Sequence, residues 1–308
     1  MPENQDKRFL TYEQQIDLLK SKKLHIANEK LAIKSLKQYS YYSLISGYKD
    51  IFKIEKNGEY KTDATFENIV SLYIFDDYLR NRFLHEIIRV EKKIKSLYSY
   101  SFCTLYGDNQ SDYLNATNYN YEQYQDGVNK LISTIQENLD HSEKYSYVNY
   151  NKHKYGTVPF WVIIQTLTIG NISKIFFYSR QELQSQVARE FENIYGNHLS
   201  AMLNVLSKFR NVCAHGERLY NYKTKKSILD LPIHSKIKNY NPTSKNDLFN
   251  VLICLKYLSE ERDFTSMIKI IDEMINVIIK ALGKDYTSAI LKEMGFPKNW
   301  KDINILEK

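Results

Sequence analysis

Turn-forming residues are scarce in this chain, with 10 Gly and 5 Pro in 308 residues, well below average usage. So few breakers exclude the many tight hairpins of a sandwich or barrel and leave long helices, an all-α fold. Cysteine is scarce too. Cys103, Cys213 and Cys254 stand far apart with no paired spacing, which excludes a disulfide framework and a zinc ribbon and fits a reducing, cytoplasmic setting. The opening MPENQDKRFLTYEQQ lacks an apolar leader, so no secretory signal is expected. No long apolar run is present either: Gln165, Thr166, Thr168, Gly170, Asn171, Ser173 and Lys174 interrupt the richest stretch, residues 160–177, so it cannot cross a membrane. Asp76 and Asp77 are adjacent but have no third ligand at a useful spacing; no metal and no cofactor are expected, and a solvated helix face accounts for them.

What is present is a globular composition, 43% hydrophobic and 26% charged, which excludes disorder. Lys+Arg is 43 against 36 for Asp+Glu, a net charge of +7, suited to a nucleic-acid partner. Nine of those cations are Arg and Tyr reaches 26; a Lys-, Tyr-, Asn- and Ile-rich chain also reflects an AT-rich genome, so charge alone decides little.

Helix signals run along the chain. Thr11-Tyr12-Glu13-Gln14 forms a capping-box pattern, and Asn28 caps a helix through Tyr39. Residues 59–106 contain neither Gly nor Pro, and Leu72, Phe75, Leu79, Phe83, Ile87, Val90, Ile94 and Leu97 recur there at spacings of three and four. That stripe predicts one long helix, or two collinear ones, from about Thr65. Further helices are expected over 121–139, from Pro159 as first residue, after an Asn171 cap, over 182–192, up to Gly216, near 246–258, over 265–282 and ahead of Gly295. Residues 141–158 and 223–246 read as loops. Residues 1–60 form an N-terminal helical segment and 61–308 a helical body, unless the whole is one domain.

The informative segment is Lys208-Phe209-Arg210-Asn211-Val212-Cys213-Ala214-His215-Gly216-Glu217-Arg218. Asn211 and His215 are four apart and share a helical face. Gly216 suits a left-handed cap, which sets His215 at the negative end of the helix dipole. An Arg that holds phosphate and a His that moves a proton are the parts needed to cleave RNA without a metal. Cys213 beside the His invites a Cys–His nucleophile, but it falls on the core-facing side and reads as a buried thiol. Lys208, Arg218, Lys223, Lys225 and Lys226, with Lys92, Lys93 and Lys95, make the basic patches; each also reads as ordinary solvated surface. The stretch 145–155 mixes Tyr with Lys and could stack bases, or simply reflect a Tyr-rich chain.

The Arg-x4-His spacing, with Asn after the Arg, resembles the HEPN ribonuclease signature, Arg-x4–6-His. The string RNVCAHGERLYN is similar to the Abi-like (AbiD/AbiF-type) abortive-infection branch of that superfamily. YYSLISGY, FDDYLRNRFLHEIIRVEKKIKSL, PFWVIIQTLTIGNISKIF and MGFPKNW agree in order. The resemblance implies a HEPN-type helical bundle with added N- and C-terminal helices, and Arg210 and His215 as the catalytic pair supported by Asn211. It further implies metal-independent RNA cleavage by a toxin of a phage-defence or toxin–antitoxin system, restrained by a small structured RNA. One motif supplies one His while the reaction needs two proton-transfer positions, so a symmetric homodimer with a shared cleft is expected. Arg80-Asn81-Arg82-Phe83-Leu84-His85 repeats the Arg-Asn-x3-His form and offers a second half-site in cis, or chance. With Phe83 in the buried stripe, Arg80 and His85 are expected on a solvated face. Where the family usually carries Glu after the Trp, this chain has Gln165, which leaves an alternative: a catalytically silent HEPN protein that binds structured RNA.

Overall fold

The computed structural model describes residues 9–54, 58–240 and 242–308; the first eight residues of the leader reading lie outside the described residues. Helix dominates. Among the described residues strand pairing is limited to isolated bridges, such as His25 with Thr65, and the fold is all-α.

The elements are α1 (Tyr12–Ser21), α2 (Glu29–Tyr39), α3 (Phe66–Tyr106), α4 (Gln110–Tyr113), α5 (Tyr121–Asp140), α6 (Ser146–Tyr155), α7 (Phe160–Ile163), α8 (Ile169–Tyr178), α9 (Gln181–Ala188), α10 (Gly196–Ala214), α11 (Pro232–Lys236), α12 (Leu248–Leu258) and α13 (Glu261–Glu293). Caps set the ends as the sequence predicts for α1 and α2. Thr11 accepts from the Gln14 amide while the Gln14 side chain accepts from the Thr11 amide, and the Asn28 side chain accepts from Leu31. At α8 the roles differ: Thr168 is the cap and Asn171 the reciprocating third residue.

Packing divides the chain into two units, 1–79 with 269–293, and 80–268 with 294–308. In the first, α1 and α2 bury Ile16, Leu19, Ala32 and Leu36. The Tyr286 hydroxyl donates to Asp63 at 2.8 Å, and its ring lies 4.9 Å from that of Phe52. Asp76 is not solvated. It is 0% exposed and accepts from the Tyr48 hydroxyl at 2.7 Å, because an internal donor replaces the lost water.

The second unit is built on α12, every residue of which is buried; apart from Asn250 and Lys256 its sequence LFNVLICLKYL is apolar around the circumference, as a central helix requires. α10 packs against α8, α9 and α12. Residues 141–158 are not a loop: α6 lies there, closed by Gly156 at φ +73 with Lys152, His153 and Lys154 in its last turn. Only Val148 of α6 is buried, so apolar periodicity could not announce it. Pro159 precedes α7 as its extended cap. Residues 223–246 carry α11 and bury Ile228, Leu231, Ile233 and Ile237, more core than a surface loop supplies.

A buried polar network ties α11 to α12. His234 Nδ1 accepts from the Leu231 amide at 2.9 Å, and its Nε2 lies 3.3 Å from the Asn250 side-chain oxygen. That pattern fits the neutral Nε2–H tautomer. Burial lowers the His234 pKa from its ordinary 6.5. The unfolded chain therefore takes up the proton first as pH falls, and the stability His234 contributes above about pH 6.5 is lost below it. Asp247, which accepts from the Asn250 side chain, is shifted upward from its ordinary 3.8 by burial; its contribution has the opposite sign. Melting temperature should accordingly drop as pH falls below about 6.5, and His234→Gln should flatten that slope; an unchanged slope would remove His234 as its cause.

Candidate functional site

α10 turns Leu199, Met202, Leu203, Leu206, Phe209, Val212 and Cys213 into the core, which leaves one polar stripe along its outer side. Asn197, Asn204, Lys208, Asn211 and His215 follow one another at helical spacing on that stripe. All five are exposed except half-buried Asn204. Cys213, at 6% exposure, is the buried thiol the sequence predicts.

The helix stops in a Schellman turn. The Gly216 amide donates to Cys213 at 3.3 Å and the Glu217 amide to Val212 at 3.0 Å, with Gly216 at φ +67, a conformation that disfavours a Cβ. This holds His215 as the capping residue, its amide on the Asn211 carbonyl at 2.9 Å and its ring in solvent. A Cβ at Gly216 would meet no atom within 4 Å. Gly216→Ala should therefore cost about 1 kcal/mol from backbone conformation alone, read as a lower urea midpoint; no shift would deny that the turn needs a left-handed residue.

Arg210 is half-buried, and its Nε is enclosed without a hydrogen-bond partner. An enclosed, unsatisfied guanidinium donor is costly where it stands, and solvent does not reach it. Arg210 and His215 are five residues apart, about 140° round the helix, so the Asn211 and His215 side of this helix end opens to solvent while Arg210 faces differently, and the two meet one ligand only with a facing segment.

Arg80 is not on the solvated face that the sequence predicts. It is 3% exposed, and its Nη1 donates to the Glu217 carbonyl at 3.4 Å. That contact binds α3 to the turn that presents His215, a positioning role the sequence did not reveal because Arg80 and Glu217 are 137 residues apart. His85 is exposed, with Nδ1 3.2 Å from the buried Glu86 carboxylate. Five residues separate Arg80 from His85, about 140° of helix rotation, so the two face differently.

Lys208, Lys223, Lys225 and Lys226 are exposed, and Arg218 is half-buried. The loop holding the three lysines is pinned from beneath: buried Thr224 donates its amide to the Asn246 carbonyl at 3.0 Å. Lys92 is exposed, whereas Lys93 pairs with Glu260 at 2.7 Å. Lys95 does not belong to a surface patch: its side chain is 7% exposed and pairs with Glu91 at 2.8 Å. Gln165 is exposed, and its amide donates to the Trp161 carbonyl at 3.3 Å. Among the described residues no cluster of His, Cys, Asp and Glu could hold a metal ion, and no helix is long and apolar enough to cross a membrane.

A cavity of about 560 Å³ opens beside the N-terminal half of the α10 stripe, between α5, α8 and α10. Nothing in the sequence pointed to it, since its walls come from segments far apart along the chain.

Comparison with known proteins bears on the same region. A family model described as Abi-like protein matches residues 34–221, more than half of the chain. The match takes in both Arg-Asn-x3-His strings and ends just past the Schellman turn. Lys223, Lys225, Lys226 and the MGFPKNW segment lie beyond it. No curated protein and no solved structure matches the chain.

Proposed function

We propose that this chain, which belongs to the Abi-like protein family, is a metal-independent endoribonuclease toxin of abortive-infection phage defence, restrained by a small structured RNA. Membership in the family supports the abortive-infection setting. The observation that carries the nuclease reading is the presence, at one solvent-open helix end, of exposed His215 and half-buried Arg210, which close on one phosphodiester when a facing segment completes the cleft.

The RNA supplies its own nucleophile. A base removes the 2′-hydroxyl proton as that oxygen attacks the adjacent phosphorus, and the P–O5′ bond breaks with a proton delivered to O5′. The products are a 2′,3′-cyclic phosphate and a free 5′-hydroxyl. Arg210 neutralises charge building on the phosphorane oxygens, Asn211 beside His215 orients the imidazole or the ribose, and His215 moves one proton. The second proton needs a second group. His215 of another copy supplies it if the exposed ends of two α10 helices meet around a two-fold axis, so the active form is a homodimer. Lys208, with Lys223, Lys225, Lys226, Arg218 and Lys92, supplies phosphate contacts around that cleft.

Incubation of unstructured RNA with the purified protein in EDTA should give 2′,3′-cyclic phosphate ends. Intact RNA, or cleavage that EDTA abolishes, would overturn the proposal. A second reading rests on Gln165, which stands where relatives are expected to carry Glu: a protein that binds structured RNA without cutting it. Intact RNA with retained RNA binding would favour that reading.

A further inference from the structure

The cavity beside α10 has the chemistry of a nucleobase site. Three rings line it in mutual contact: Tyr124 lies 4.9 Å from Phe177 and 5.5 Å from Tyr178, and Phe177 lies 5.4 Å from Tyr178. Phe177 is 44% exposed, so its ring is open to a ligand from solvent. The cluster is built in rather than accidental. α5 leaves helical geometry at Tyr124, and Gly127 lets the Tyr178 ring lie where any Cβ would come within 2.3 Å of it. α9 and α10 also close tightly, since a Cβ on Gly196 would sit 3.0 Å from that of Gln184.

Around the rings stand Lys174 and Lys226, and the lining contains no carboxylate in a chain with 36 Asp and Glu. Asn204 and Gln123 add amides able to meet a base edge. Stacking surface, two cations and edge-reading amides without an opposing anion are the combination that holds single-stranded nucleic acid. The location extends the point. Asn204 and His215 lie on the same stripe of one helix, about 16 Å apart along its axis, with Lys208 and Asn211 between them.

We propose that this cavity is a base-recognition subsite, which takes an unpaired nucleobase of the RNA strand whose backbone runs along α10 towards His215. The proposal rests on the nuclease reading for the identity of the strand. A base stacks on the Phe177 and Tyr124 rings, Lys174 and Lys226 hold its flanking phosphates, and Lys208 meets the next phosphates on the way to the cleavage site. The protein then cuts at a fixed distance from an anchored base and prefers unpaired RNA.

The test is fluorescence anisotropy of the full-length His215→Ala protein with labelled oligouridylate and oligoadenylate, and with an abasic ribose-phosphate chain of equal length. Base-bearing chains should bind roughly tenfold more tightly than the abasic one, a difference that Phe177→Ala should remove. Lys174→Gln should lower the salt dependence by about one charge equivalent while retaining the base preference. Phe177 is exposed, so its replacement leaves the core intact, and a circular-dichroism melt checks this. Equal binding of abasic and base-bearing chains, an unchanged preference in Phe177→Ala, or no binding of any chain would overturn the subsite. Wild-type protein tested in parallel for cleavage separates the two ideas: base-dependent binding without cleavage keeps the subsite and removes the nuclease, and cleavage without base-dependent binding does the reverse.

Discussion

His215→Ala should lower RNA cleavage by roughly two to four orders of magnitude, the range for loss of a positioned proton-transfer group. It should do so without unfolding the protein. The His215 side chain is in solvent, and the bonds that close the helix run through backbone atoms of residues 211–217, which alanine retains. The expected signature is a fall in kcat with an unchanged melting curve and unchanged RNA affinity, together with loss of growth arrest on expression. In the proposed dimer the two imidazoles divide base and acid duties, so wild-type subunits mixed with His215→Ala subunits should give heterodimers with less than half of normal activity. Full activity in the variant would remove His215 from the chemistry, and with it the nuclease proposal.

Glu86→Ala should destabilise the fold by about 3 kcal/mol, the low end of the range for breaking a buried ion pair. The Glu86 side chain is 2% exposed, accepts from Arg82 at 2.7 Å, and has Arg89 within 4.0 Å. Arg82 Nε is already enclosed without a partner. Removal of the carboxylate therefore leaves a largely enclosed guanidinium without its counter-charge, a change that costs more than the ion pair itself is worth. Arg89 also pairs with Asp263 of α13, so loss of Glu86 reaches the contact between α3 and the start of that helix. Glu86→Gln keeps the shape and one acceptor and should recover part of the loss. Urea denaturation followed by circular dichroism measures both. A shift under about 0.5 kcal/mol for the alanine variant, no more than a surface pair is worth, would show that the pair does not hold α3.

Individual residues show how far the sequence could be read. The α3 stripe was legible because its period is local: Leu72, Phe75, Leu79, Phe83, Ile87, Val90 and Ile94 are all buried. The Schellman turn was legible because Gly216 is a one-residue signal. α6 was not, since a helix with one buried side chain leaves no periodic trace. Arg80 was misplaced for another reason. It is buried against the Glu217 turn, far along the chain, and helical phase on α3 alone cannot report that. Asp76 and Lys95 repeat the lesson: the Tyr48 hydroxyl meets Asp76 from 28 residues away, and the Gln165 carbonyl meets Lys95 from 70.

The sequence by itself determined that this chain is helical, where most helices start and stop, and that Arg210, Asn211 and His215 share a helix end, because caps and spacings act within a few residues. Tertiary structure alone decided which charged groups are enclosed, that Arg80 braces the turn beside His215, and that three rings from α5 and α8 surround a cavity next to α10. Burial and ring contact depend on elements brought together through space, and no local pattern encodes that.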